Sequence, residues 1–457
     1  MDELATIAQS QPARLVGSVV ETTGLLATVA DLPAPIGSVV RLGEAQTGDP
    51  HGVEAEVVGF RGRLTMVSPL GPLSGVRRGQ PVRLLRSARR LRVGDGLLGR
   101  VVNAQGEPID GRPRPALPHR TPIERPPTPA LDRPPIDQPL PTGVRAIDTM
   151  LTCGRGQRLG VFAGSGVGKS TLLGMMTRYT AADVIVIGLV GERGREVNEF
   201  LLNDLGPEGR QRSVVVVATS DEPATVRLRA ASTATAIAEH FRDQGKDVLL
   251  LVDSLTRTAL ASRELGLAAG EPPTTRGYPP STFALLPRLV ERAGRTRTGS
   301  ITAFYSVLVE GDDPDDPVAD TLRGLLDGHV WLDRKLAARG HYPSIDIPQS
   351  VSRLAPQITE KTQQQSAQLV RRLMAAVAEN EDLISIGAYR RGANPEVDAA
   401  IEMRGDIDAL LRQSVQESPL YNEAVDQLIA VARKAADFLA RPRTAQQPTA
   451  AQPGASN

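Results

Sequence analysis

The sequence predicts an α/β core on a mainly parallel sheet, with a small six-stranded β-barrel before it and a helical domain after it. Three observations carry that expectation. Residues 140 to 352 alternate apolar runs (VIVIGLVG, SVVVVAT, VLLLVD, ITAFYSVLV) with amphipathic segments such as Ala224 to Arg242. Such alternation belongs to parallel sheets with helices on both faces, where ligands bind at the carboxyl ends of the strands. Residues 14 to 87 hold six short β-rich runs separated by Gly or Pro: RLVGSVV, LLATVA, GSVVRL, VEAEVVGF, RLTMVSPL and PVRLL. Short strands at that spacing suggest a barrel. After residue 355 the strand patterns stop and helical ones take over.

In chain order, this gives a barrel domain over 1–88, a nucleotide-binding domain over 89–354, a helical domain over 355–440 and a disordered tail over 441–457. The proline-rich stretch 113–135 within the second domain reads as a stiff, extended surface connection. Asn394-Pro395-Glu396 and Ser418-Pro419 each place a capping side chain before a proline, so a helix is expected to start at both. The tail RPRTAQQPTAAQPGASN lacks the apolar residues needed to fold.

At 457 residues the chain is long enough for two or three domains. Its net charge of +1 leaves no electrostatic footprint for nucleic acid or anionic lipid. A single cysteine, Cys153, excludes an intramolecular disulfide. The apolar runs fall far short of the roughly 20 residues that cross a bilayer, and MDELATIAQS carries acids where a signal peptide would be basic. A cytosolic enzyme is expected.

The motif that gives this chain a chemistry is AGSGVGKST at 163–171. It follows an apolar run, Leu159 to Phe162, and precedes LLGMM, so it reads as strand, glycine loop, helix. Gly164, Ser165, Gly166, Val167 and Gly168 would curl their backbone N–H groups around phosphate oxygens, aided by the helix N-terminus. Lys169 would reach the β- and γ-phosphates of ATP, and the hydroxyl of Ser170, beside Thr171, would ligate Mg²⁺. The usual pattern opens with Gly where this chain has Ala163. Only Lys169, Lys246, Lys335, Lys361 and Lys434 interrupt a basic complement that is otherwise arginine. A lysine inside the loop is therefore a chemical choice, because a compact ammonium fits between phosphates where a guanidinium fork does not.

Two further strands end in acids. VIVIGLV delivers Glu192 within GERGRE, where a carboxylate can orient and polarise the attacking water, and neighbouring Arg193 can contact the γ-phosphate. VLLLV delivers Asp253, which would hold the Mg²⁺ shell directly or through water. Arg257, one helical turn on, either senses the γ-phosphate or pairs with an acid.

PSIDIPQSVS at 343–352 matches P-S-[LIV]-D-x-x-x-S-x-S, the signature of the rotary ATPase α/β family, whose core is RecA-like. From about residue 12 to 440 the chain resembles that family. Within it the chain resembles flagellar type III protein export ATPases, through VFAGSGVGKS, GEPPTTRGYPPSTFALLPRLVERAG, EGDDPDDPVAD, DGH and the late IGAY at 386–389. The resemblance implies nucleotide-site roles for Lys169, Ser170, Glu192, Arg193, Asp253 and Arg257. It makes Tyr342 a ring packed against adenine, the alternative being an ordinary core tyrosine. It makes Arg353 a finger inserted into a neighbouring subunit's site, the alternative being a surface or interface ion pair. Thr258 and Trp331 depart from the family pattern, and residues after 441 have no counterpart in it.

The resemblance further implies a homohexamer with active sites at subunit interfaces, peripheral at the cytoplasmic face of the inner membrane at the flagellar base. A stalk protein in the pore, a stator-like regulator, the export gate and chaperone–substrate complexes would be its partners. An injectisome paralogue, an ATP synthase catalytic subunit, a noncatalytic regulatory subunit and a ring RNA translocase are the alternatives. The last would stack bases on aromatic rings, yet residues 1 to 90 contain one aromatic, Phe60. No nucleic-acid partner is expected.

Overall fold

The computed structural model describes residues 15–43, 52–309 and 316–441. The extreme N-terminus, part of EGDDPDDPVAD and the expected disordered tail lie outside them.

Six strands form the barrel: β1 (Val16–Thr23), β2 (Leu26–Ala30), β3 (Val39–Leu42), β4 (Val53–Arg61), β5 (Leu64–Pro69) and β6 (Pro81–Arg86). They close in the order β1-β2-β5-β4-β3-β6 with antiparallel neighbours. Closure removes the unpaired edges that a small open sheet would expose. Val19, Val29, Val40, Val57, Val67 and Val82 fill the interior, while Phe60 is exposed.

The barrel is fastened to the core by charge. Glu56 on β4 pairs with Arg89 and, at 2.8 Å, with Arg229. Burial pushes the guanidinium of Arg89 down to about 8, with Arg229 beside it adding to the shift. Burial likewise lowers Arg229 to about 10. Glu56 is the carboxylate in contact with both, while the charge of Glu124 favours the charged form of each and that of Glu54 favours charged Arg229.

The proline-rich connection is not uniformly a linker. Its residues His119–Pro122 form β9, antiparallel to β7 (Arg90–Val93). His119, Arg120 and Thr121 keep the backbone N–H that proline lacks, so this stretch can enter a ladder. Between β7 and β9, β8 (Val101–Asn103) joins the edge of the main sheet.

That sheet runs β17-β16-β10-β15-β13-β11-β12-β8. Its strands are β10 (Arg158–Ala163), β11 (Val184–Glu192), β12 (Ser213–Thr219), β13 (Asp247–Asp253), β15 (Ser300–Leu308), β16 (Gly328–Leu332) and β17 (Ile345–Ser352), with β14 (Gly294–Arg295) pairing on β15. All neighbours along the path are parallel except β17, which is antiparallel to β16.

Both faces are covered, and this explains the unbroken apolar runs. On one face Leu159, Val161, Ile185, Ile187, Leu249 and Leu251 pack with helices α1 (Arg145–Met150) and α2 (Lys169–Tyr179). On the other, Val184, Val186, Val214 and Leu250 pack with α3 (Ala224–Asp243) and α4 (Leu255–Ala269).

The C-terminal helices α5 (Lys361–Glu379), α6 (Pro395–Leu411) and α7 (Tyr421–Ala440) pack against the same face as α2, through Val370, Leu373, Ile407, Leu410 and Leu428. Asn394 caps α6 as expected, its side chain accepting from Glu396 N at 2.9 Å. The second expected start is displaced. α7 begins at Tyr421 with extended Leu420 at its cap, and Glu423 in its first turn accepts from Leu420 N at 3.3 Å.

Candidate active site

Strand β10 carries the chain into the glycine loop, and α2 begins at Lys169 immediately after it. Gly166 (φ 76°) and Gly168 (φ 89°) adopt the left-handed conformation that favours glycine. Ala163 precedes them as the last residue of β10, and its carbonyl accepts from Val309 N at 3.1 Å. The loop's left-handed turns thus fall on glycines, and a methyl at 163 costs nothing there. Val167 is buried and pins the loop from below, while Ser165, Gly166 and Ser170 are exposed, Thr171 is half-buried and Gly164 is buried.

Three charged side chains converge on the loop's helix end. Lys169 Nζ pairs with Asp253 Oδ1 and lies 3.6 Å from Glu192 Oε1. Asp253 ends β13, beside β11, whose last residue is Glu192. Glu192 Oε2 lies 3.3 Å from Arg257 Nη2, and Arg257 Nη1 also donates to Gly191 O. Arg257 thus pairs with an acid at the loop's edge.

Glu192 is only 8% exposed. Its Oε1 has no hydrogen-bond partner among the described residues, although Lys169 stands within ion-pair distance. Burial raises its carboxyl to about 7, with contributions from Glu196 and Asp253, against the lowering effect of Lys169 and Arg257. A buried carboxylate oxygen left without a donor is a position where a hydroxyl or water can be held.

Arg193 points elsewhere. It is the residue before the short helix Gly194–Glu199, its side chain is 78% exposed, and it pairs with Glu196 at 3.4 Å. Tyr342 is 46% exposed, which sets aside the reading as an ordinary core tyrosine. Its ring lies against the loop: a Cβ built on Gly168 would meet Cδ1 and Cε1 at 3.4 Å.

Arg353 is not brought to the others. Because β17 runs antiparallel, Ile345 sits opposite Leu332 and Ser352 opposite Gly328, and Leu332 in turn sits beside Ala163. The end of β17 therefore lies at the opposite edge of the sheet from the glycine loop. PSIDIPQSVS thus ends away from the carboxyl edge that holds the glycine loop, Glu192 and Asp253. Arg353 is exposed, its Nη2 donating to Arg323 O at 3.3 Å.

Comparison with known proteins agrees with this geometry. The nucleotide-binding domain of the ATP synthase alpha/beta family matches residues 143–352, and the C-terminal domain of the T3SS EscN ATPase matches 359–430. The flagellum-specific ATP synthase of Treponema pallidum is 50% identical over 92% of this chain and 94% of its own. The chain belongs to the ATP synthase alpha/beta family. Within that family the SPI-2 type 3 secretion system ATPase of Salmonella typhimurium is 51% identical over 83% of this chain and 87% of its own. The assembled ATPase EscN from the type III secretion system of enteropathogenic E. coli superposes with a TM-score of 0.86 at 44% identity, over 91% of this chain and all of that one. The protein is thus an ATPase related to both flagellar and type III secretion ATPases. The family's nucleotide-binding region spans the loop, Glu192, Asp253, Arg257 and Tyr342, and ends one residue before Arg353.

Several site neighbours escape a reading of the sequence. Ser306 Oγ donates to Asp253 Oδ1 at 2.5 Å, and its only signal is one polar residue inside ITAFYSVLV. Ser344 Oγ donates to Val167 O at 2.6 Å, tying the loop to the segment that carries Tyr342. Gln413, 268 residues beyond Arg145, reaches the same region from the C-terminal helices and leaves no local pattern at all.

Proposed function

We propose that this ATPase hydrolyses Mg²⁺-ATP in a homohexameric ring whose active sites are completed across subunit interfaces, and that it energises flagellar protein export. The observation that carries the reading is the pairing of a buried, half-satisfied Glu192 beside the glycine loop with an Arg353 stranded at the far edge of the same sheet. One chain holds both parts of a catalytic site and cannot join them itself. A ring of identical chains joins them.

In this reading the loop N–H groups from Gly164 to Gly168, with Thr171 close behind, bind the phosphates. Lys169 exchanges the Asp253 carboxylate for phosphate oxygens. Glu192 Oε1 accepts a hydrogen bond from the attacking water and holds it in line, and Arg257 keeps the carboxylate oriented through Oε2. Ser170 and Asp253 offer the hydroxyl and carboxylate oxygens that suit Mg²⁺, which shares its shell with phosphates and water rather than filling a protein cage. The ion's contribution is to neutralise charge on the phosphates. Arg193, at the rim, contacts the γ-phosphate only after leaving Glu196, and Tyr342 supports the adenine. Arg353 from the neighbouring copy stabilises the transferring phosphoryl group, a service worth about 10³ to 10⁵ in rate.

A stalk protein in the ring's pore is supported by the structure of EscN in complex with its central stalk EscO, which superposes with a TM-score of 0.84. A stator-like regulator, the export gate and chaperone–substrate complexes complete the partner set. Its place is the cytoplasmic face of the inner membrane at the flagellar base. No helix among the described residues is long and apolar enough to cross a membrane. AGSGVGKS and IGAY favour the flagellar branch, and the SPI-2 relative keeps the injectisome as the second reading. Complementation of flagellar and injectisome ATPase deletions decides between them: restored motility supports the first, restored effector secretion the second.

Mixing Lys169→Ala with Arg353→Ala tests the shared site. Each variant alone is expected to assemble and turn over poorly. Mixed rings contain interfaces with one intact loop and one intact finger, so activity returns. No recovery after demonstrated subunit exchange would contradict the reading.

A further inference from the structure

We propose that Gln413 is a positioning residue for the base-binding end of the site, acting through Tyr342. The inference rests on the reading of Tyr342 as the adenine platform. Tyr342 is 46% exposed and only one edge of its ring lies beside Gly168, so the backbone that carries it shares in setting where the ring stands.

That backbone is gripped from two sides. From below, Ser344 Oγ donates to Val167 O of the glycine loop at 2.6 Å. From above, Gln413 N donates to Tyr342 O at 2.9 Å, and Arg412 Nη2 donates to Gly340 O at 3.0 Å. Residues 340 to 344 are therefore clamped between the loop and the connector that joins α6 to α7.

Gln413 is itself immobilised. It is 5% exposed, and three hydrogen bonds engage its amide. Oε1 accepts from Arg145 N at 2.8 Å, while Nε2 donates to Gly143 O at 2.8 Å and Glu417 O at 2.9 Å. One acceptor facing an N–H and one amine facing two carbonyls fix the orientation of the group, and no other side chain of this length supplies both. The same connector offers Val415 O to Tyr179 Oη at 3.0 Å and to Arg178 Nη2 at 3.2 Å. These sit at the far end of α2, the helix that opens with Lys169. Gln413 thus ties the base end of the site to the core domain at α1, without reaching the phosphate end itself.

The test measures affinity for ATP and for inorganic tripolyphosphate, which has the phosphates but no base. The proteins are the full chain, Gln413→Ala, Tyr342→Ala and the double variant. Gln413→Ala keeps the backbone N–H that donates to Tyr342 O but frees it from its three side-chain anchors; it is expected to weaken ATP binding roughly five- to tenfold, part of the worth of base stacking, and to leave tripolyphosphate binding unchanged. Tyr342→Ala should weaken ATP at least as much, and the double variant no further. Equal weakening of both ligands by Gln413→Ala would make its role merely structural, and independent losses in the double variant would also overturn the proposal. If Tyr342→Ala weakens ATP selectively while Gln413→Ala does not, the inference alone fails. If Tyr342→Ala is without effect, the platform reading fails and takes the inference with it. Should Gln413→Ala not fold, Arg412→Ala removes only the contact to Gly340 and reads the same clamp. Selective weakening of ATP supports the proposal; no selectivity overturns it.

Discussion

Glu192 is where charge, burial and geometry meet. A carboxyl raised to about 7 is poised for proton chemistry near neutrality. The charged form is the one that polarises water, so kcat/KM is expected to rise with pH through about 7 as the group ionises. In stability the sign is reversed: between 4.5 and 7 the unfolded chain ionises first, so ionisation there favours unfolding. Glu192→Gln should retain ATP binding, lose roughly 10² to 10⁴ in turnover and abolish the pH step. A step that survives the substitution would assign it to another group. Most of this site is legible in the sequence because each acid ends an apolar strand downstream of a glycine loop. Arg257 is legible only as a choice between two partners, and here it stands 3.3 Å from Glu192. Ser306, Ser344 and Gln413 are not legible, because they act across 53, 177 and 268 residues of sequence through hydrogen bonds that no periodicity records.

At the scale of elements, strands were easier to foresee than connections. The barrel strands announce themselves as short β-rich runs between Gly and Pro, and the parallel strands as unbroken apolar runs. β9 hides inside a proline-rich stretch, and α7 starts at Tyr421 rather than at Ser418-Pro419. The antiparallel sense of β17 is invisible in composition, yet it decides on which edge Arg353 emerges. The contact between barrel and core is equally silent in sequence, since Glu56, Arg89 and Arg229 each look like ordinary surface charge. Glu56→Ala would remove the carboxylate in contact with two buried guanidinium groups, a loss of roughly 3 to 5 kcal/mol when a buried pair is broken. The expected outcome is a lower melting temperature and early proteolysis between barrel and core. An unchanged melting temperature would mean that water reaches both arginines.

For the whole molecule, the decisive feature is division. The glycine loop, Lys169, Glu192 and Asp253 gather at one edge of the sheet, and Arg353 leaves from the other. The barrel, core and helical region foreseen from the sequence are all present, because each is dictated by its own periodicity. That copies of the chain share a site is not written in any one periodicity; the proposal rests on the separation of Arg353 from the loop. ATPase activity per chain, measured against protein concentration with mass determined in parallel, tests that separation most directly. The account predicts a steep rise in specific activity coinciding with ring formation, absent in Arg353→Ala. Constant specific activity from a demonstrated monomer would mean that one chain completes its own site, contradicting the shared-site account.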